Sequence, residues 1–100
     1  MNLVYRALAD PTRREILRLL RERDRSAGEI ARHVSVSKPT LSGHFAVLKE
    51  ADLVRAEKAG TTITYSLNLS VLEDSLRLLL EAFRLGDPAP ASPHAPEETR

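Results

Sequence analysis

The first half of the chain spaces its apolar residues as helices do, and a shorter stretch after it has the spacing of strands. Leu3, Val4, Ala7 and Leu8 form a short amphipathic run at i, i+1, i+4 and i+5. Asp10-Pro11 restarts the chain: Asp10 can cap a helix, and proline fits the first helical position, where a missing N–H costs nothing. Ile16, Leu17, Leu19 and Leu20 then make an apolar stripe bordered by Arg13, Arg14, Arg18 and Arg21. Arg23-Asp24-Arg25 reads as a polar break. Ser26-Ala27-Gly28-Glu29 has the Ser-x-x-Glu form of a capping box and opens a short helix with Ile30, Ala31 and Val34 inward. Ser35-Val36 is a tight turn, and Ser37 caps another helix whose inner stripe is Leu41, Phe45 and Leu48. After Asp52 the period changes. Residues 53–58 and 61–67 read as two strands, the second alternating Ile63, Tyr65, Leu67 against Thr62, Thr64, Ser66. Residues 58–61 supply the hairpin turn. Ser70 is expected to cap a last helix carrying Val71, Leu72, Leu76, Leu79, Leu80 and Phe83.

The order is four helices, a hairpin and a helix. The third and fourth helices are short and tightly joined, and a hairpin follows them. This predicts a mainly α fold with a β-hairpin, a winged helix-turn-helix (ααααββα), an architecture that reads DNA.

Composition narrows the picture. One hundred residues suit one domain. There is no cysteine, which excludes disulfides, thiolate metal sites and cysteine nucleophiles and suits a reducing cytosol. Only Tyr5, Phe45, Tyr65 and Phe83 are aromatic, too few for a platform that stacks single-stranded bases. No apolar run approaches the roughly 20 residues that span a bilayer, so no membrane partner is expected. The beginning of the chain lacks the basic-then-apolar layout of a signal peptide. A cytoplasmic protein is the expectation.

Four of the six prolines fall in residues 87–100, DPAPASPHAPEETR, whose apolar residues are all alanine. Such a segment cannot offset its ordering entropy, so the domain is placed at 1–86, ending at Gly86, with a disordered Pro-rich tail over 87–100. The formal net charge of the whole chain is +1. Without the tail's one base and three acids, the body holds 14 basic and 11 acidic groups, a net of +3.

The fourth helix is the candidate reader. Opposite its apolar stripe lie Pro39, Ser42, Gly43, Ala46 and Glu50, small enough for the backbone to approach a groove floor. Ser37, Thr40 and Ser42 offer hydroxyls to phosphate or base edges. Lys38 stands beside free helix N–H groups, an anion-favouring place. His44 lies at the boundary of groove face and core, as a DNA contact or a packing residue. Lys49 flanks the far end. Arg55, Lys58, Thr61 and Thr62 decorate the hairpin, as phosphate contacts or as solvated groups. Gly43 costs roughly 1 kcal/mol against alanine inside a helix, which points to close approach by DNA or by a neighbouring helix. The arginines of the second helix read as a solvated face, with Arg13 or Arg14 an alternative phosphate contact.

The last helix has more apolar surface than the other elements can cover. Leu3, Val4, Leu72, Leu76, Leu79 and Phe83 are therefore assigned to a homodimer interface through the first and last helices, against the alternative that they close a monomer core. A two-fold dimer sets its reading helices about 34 Å apart, one turn of DNA. The chain shows no nucleophile–base–acid set, no phosphate-cradling glycine loop and no paired catalytic carboxylates, so an enzyme is not expected. A winged helix that docks a protein instead of DNA is the competing reading.

The stretches 7–17, 26–31, 36–49 and 51–54, with the wing, resemble the ArsR/SmtB family of winged-helix repressors over roughly residues 3 to 85. The form SKPTLS-x-H-x-x-x-LK and Tyr65-Ser-Leu-Asn68 are most similar to its SdpR-type autorepressor subgroup. The resemblance implies a homodimer that binds a pseudo-palindromic double-stranded operator and represses transcription, often of its own operon. Many relatives sense metals through cysteines on the third helix, or through Asp and His on the last. Here residues 27–32 lack cysteine and residues 71–85 lack histidine, leaving Glu73, Asp74 and Glu81; His94 is in the tail. Carboxylates alone hold first-row metals poorly. No metal and no cofactor is expected, and the inducing signal stays open.

Overall fold

The computed structural model describes residues 2–83. Gly86, His94 and the Pro-rich segment 87–100 lie outside them. In chain order the elements are α1 (Asn2–Leu8), α2 (Pro11–Glu22), β1 (Arg25–Ser26), α3 (Ala27–His33), α4 (Lys38–Glu50), β2 (Val54–Ala59), β3 (Thr62–Leu67) and α5 (Leu69–Phe83). This is the expected winged helix with one addition. The hairpin is the larger part of a three-stranded antiparallel sheet of order β1-β3-β2.

Local chemistry starts each helix where the sequence places it. The Asp10 carboxylate accepts from the Arg13 backbone N–H at 3.0 Å and caps α2, with Pro11 in the first turn. At α3 the capping box is complete: Ser26 Oγ accepts from Glu29 N–H at 3.1 Å, and Glu29 Oε1 accepts from Ser26 N–H at 2.9 Å. Two otherwise orphaned donors are thereby satisfied, a device that contributes about 1 kcal/mol per cap. Helix α4 ends in a Schellman motif. Asp52 N–H donates to Lys49 O at 2.9 Å and Leu53 N–H donates to Leu48 O at 3.0 Å, while Asp52 takes the left-handed conformation at φ 63°. The apolar pair that accompanies this motif is Leu48 and Leu53, both fully buried.

Ile16, Ile30, Leu48 and Leu53 are the largest side chains with no exposure, and Val4, Ala7, Leu17, Leu20, Leu41, Phe45, Val54 and Tyr65 pack with them. One core thus joins α1, α2, α3, α4 and the sheet. Truncating such a residue to alanine costs about 2–5 kcal/mol.

Several expectations shift by a residue or a face. Arg25 and Ser26, read as loop and cap, also pair with Tyr65 and Thr64. Arg25 is buried because its Nε donates to Leu19 O at 3.1 Å and its Nη2 meets Glu22 at 2.7 Å. Leu53 precedes the strand, since its N–H closes the helix. Ala31 is exposed rather than inward, leaving Ile30 and Val34 to face the core. The last helix begins at Leu69, with Asn68 O accepting from Leu72 N–H at 3.2 Å, so Ser70 is inside it and not its cap. Among the described residues no helix is long and apolar enough to cross a membrane.

Candidate nucleic-acid interface

Helix α4 is held from one side only. Leu41, Phe45 and Leu48 are buried along its inner face, and the Phe45 ring stacks on Tyr65 of β3 with centroids 4.1 Å apart and planes 16° from parallel. The stack is worth about 0.5–1.5 kcal/mol beyond its buried area and ties the helix to the wing. Burial of the ring pushes the Tyr65 phenol above its ordinary pKa. Ser37 starts the helix, its Oγ accepting from Thr40 N–H at 3.3 Å and donating to Thr40 Oγ1 at 2.9 Å.

The other side is bare. Ser37, Lys38, Pro39, Thr40, Ser42, Gly43, Ala46, Lys49 and Glu50 are all exposed. A Cβ built on Gly43 meets nothing within 4 Å, so no neighbouring helix explains that glycine. Lys38 and Lys49 stand at opposite ends of α4, about 16 Å apart along its axis at 1.5 Å per residue.

The wing is equally open. In β2 only Val54 is buried, and Arg55 and Lys58 are exposed. Ala59 pairs with Thr62, leaving a two-residue loop of Gly60 and Thr61. Gly60 has φ 64°, where a side chain would be strained. Thr61 and Thr62 sit exposed at this tip.

His44 is the exception among the candidate contacts. Its side chain is only 13% exposed and turns toward the α1–α2 junction. Arg13 Nη1 lies 3.1 Å from His44 Nδ1, and Asp10 Oδ2 lies 3.8 Å from His44 Nε2. The backbone N–H of Arg13, aided by that residue's guanidinium charge, holds the Asp10 carboxyl below the usual carboxylate range. Arg13 is not a solvated residue either. Its Nε donates to Ala7 O and its Nη2 to Arg6 O, each at 2.9 Å, and Arg14 Nη1 donates to Leu8 O at 2.8 Å. The two arginines cap the C-terminal carbonyls of α1, groups left over when a helix ends. Helical periodicity carries no signal for this role, because the acceptors belong to the preceding helix.

Of the residues assigned to a subunit interface, Val4 is buried in the protomer's own core and Leu72 is partly buried against it. Leu79 is half-buried, whereas Leu3, Leu76 and Phe83 are exposed, Phe83 by 66%. Tyr5, Leu69, Leu78 and Leu80 extend that exposed apolar set.

A family described as "Bacterial regulatory protein, arsR family" matches residues 10–56, the span from the α2 cap through α4 into β2. The transcriptional repressor SdpR of Bacillus subtilis is 46% identical over 87 residues, which is 87% of this chain and 97% of that protein. The chain belongs to the arsR family. This family comprises transcriptional regulators, not enzymes. A solved arsR-family transcriptional regulator superposes with a TM-score of 0.77 at 26% identity, covering 88% of this chain and 97% of its own. An ArsR-like regulator from Rhodococcus sp. RHA1 gives 0.72 at 33% identity over 84% of this chain and 78% of its own. As an arsR-family protein the chain carries a DNA-binding helix-turn-helix, with α3 and α4 as its two helices.

Proposed function

We propose that this protein is a metal-independent repressor that binds a pseudo-palindromic operator as a homodimer in the cytoplasm and regulates its own operon. The observation that carries the proposal is the asymmetry of α4: one face locked into the core, the other exposed and built of small and hydroxyl-bearing residues with cations at both ends. Such a face suits a groove floor, while Arg55, Lys58, Thr61 and Thr62 suit the adjacent backbone or minor groove.

The exposed leucines of α5, with Leu3 and Tyr5 of α1, support the dimer. Exposed apolar side chains such as Leu76, Leu80 and Phe83, which recur at helical spacing along α5, are costly in water and suit pairing across a two-fold axis. Donor chemistry supports independence from metal. The chain has no cysteine, and α5 offers Glu73, Asp74 and Glu81 without histidine. Asp74 is already paired with Arg77 at 2.6 Å. Among the described residues no three metal-binding side chains converge.

Footprinting on the DNA upstream of the protein's own gene, over a salt series, tests the proposal. The expected result is protection of two half-sites about one DNA turn apart, with affinity falling steeply as salt rises. Equal binding to random and upstream DNA would rule out sequence-specific repression. Docking of a protein in place of DNA would show as no salt-dependent DNA affinity at all.

A further inference from the structure

We infer that Arg13 and His44 form a positioning joint that sets the orientation of the reading helix relative to α1, and that His44 serves DNA binding through this joint, not by touching DNA. The inference rests on the DNA-reading role of α4 proposed above.

Three of the guanidinium's nitrogens point at three acceptors on two other elements: Arg6 O and Ala7 O at the end of α1, and His44 Nδ1 on α4. The backbone N–H of the same residue is held by Asp10. One side chain of α2 thus clamps the C-terminus of α1 to the middle of α4. An arginine can only donate, so His44 Nδ1 is the acceptor and the ring proton sits on Nε2, the edge that faces Asp10. His44 follows Gly43, an open position of the reading face, so a rotation of α4 about its axis moves both together. Without the joint, α4 is still held by Leu41, Phe45 and Leu48. Those contacts are apolar and non-directional; the fork of hydrogen bonds supplies a defined angle. Because α1 also carries the exposed Leu3 and Tyr5, the joint links the surface proposed for dimerisation to the surface proposed for reading.

The test compares wild type with H44N, H44L and R13K. Operator affinity is measured by fluorescence anisotropy on the footprinted DNA, and protection of α4 amides by hydrogen exchange. Asparagine places an acceptor, Oδ1, near the site of Nδ1; leucine fills similar space with none; lysine replaces a fork with a single point. H44L and R13K are expected to lose roughly tenfold to hundredfold in affinity, as suits loss of a charged hydrogen bond, and to exchange α4 amides faster. H44N is expected to stay within a few-fold of wild type in both measurements. H44N as weak as H44L, with R13K unaffected, would mean that the ring itself touches DNA and would overturn the joint. Wild-type affinity in all the variants would overturn it too. Should R13K fail to fold, the two His44 variants decide alone, since they leave the carbonyl bonds of Arg13 in place. Wild type without operator binding would refute the repressor proposal, and the exchange data would still decide the joint: equal α4 protection in H44N and H44L overturns it.

Discussion

Replacing Gly43 with alanine separates the stability of α4 from its use. The position is the sixth residue of a 13-residue helix, exposed, and open for at least 4 Å around an added Cβ. With no contact to offend and none to gain, the change is expected to return only the propensity difference, about 0.8–1 kcal/mol in favour of alanine. For a domain of this size that is a rise in melting temperature of about 4–8 °C. A natural helix that forgoes such a gain at an exposed site has a reason outside its own fold. If that reason is close approach to a groove floor, the methyl group stands where DNA must be, and operator affinity is expected to fall by more than about tenfold, or roughly 1.4 kcal/mol. Thermal unfolding followed by circular dichroism, with anisotropy on operator DNA, reads both quantities on the same sample. A lower melting temperature would contradict the open surroundings of Gly43. A higher one with unchanged affinity would refute the assignment of this face to the groove.

Ser42→Glu puts a carboxylate on the same face and is expected to abolish operator binding while the circular dichroism spectrum and subunit mass stay as in wild type; retained binding would move the reading surface elsewhere. Leu76→Arg charges the apolar face of α5, where the side chain is 42% exposed in the protomer, and light scattering should then give the monomer mass. A dimer mass would exclude this stretch of α5 from the interface. Acid should weaken the fold through its caps: Asp10 and Glu29 are held below the ordinary carboxylate range, first by the backbone N–H of Arg13 and of Ser26 respectively. Their contribution is complete above the unfolded values near pH 4 and is lost as pH falls through the folded values, so the urea midpoint should drop below about pH 4. The D10N/E29Q double variant should lose less between pH 6 and pH 3, and an equal loss would argue against the caps. Saturating zinc should leave operator affinity where ionic strength alone puts it; a specific response at micromolar zinc would restore metal sensing.

What the sequence made legible was local. Ser37, Ser26 and Asp10 announced their helices because a cap acts over three residues, and Leu41, Phe45 and Leu48 announced the inner face of α4 because its period is regular. The exposed side of α4 followed as the remainder. Strand β1 was not legible. Two polar residues carry no alternation, and their pairing with Tyr65 and Thr64 bridges about forty positions of chain. Separation along the chain also hid the role of Arg13, whose partners lie six and seven residues before it and 31 after. Val4 and Leu3 are neighbours of like character, and only the packing of α1 decides that Val4 faces the core and Leu3 the solvent.

Ser26 ends β1 and caps α3, two duties on one residue. The edge of the sheet and the start of the helix-turn-helix therefore share a fixed point, with no slack between them. An insertion between Arg25 and Ala27 would have to give up either the strand pairing or the capping box. The exposed turn at Arg23-Asp24 and the wing tip at Gly60-Thr61 carry no such double constraint. Length variation among natural and engineered versions of this chain should gather at those two turns and spare the three residues that begin at Arg25.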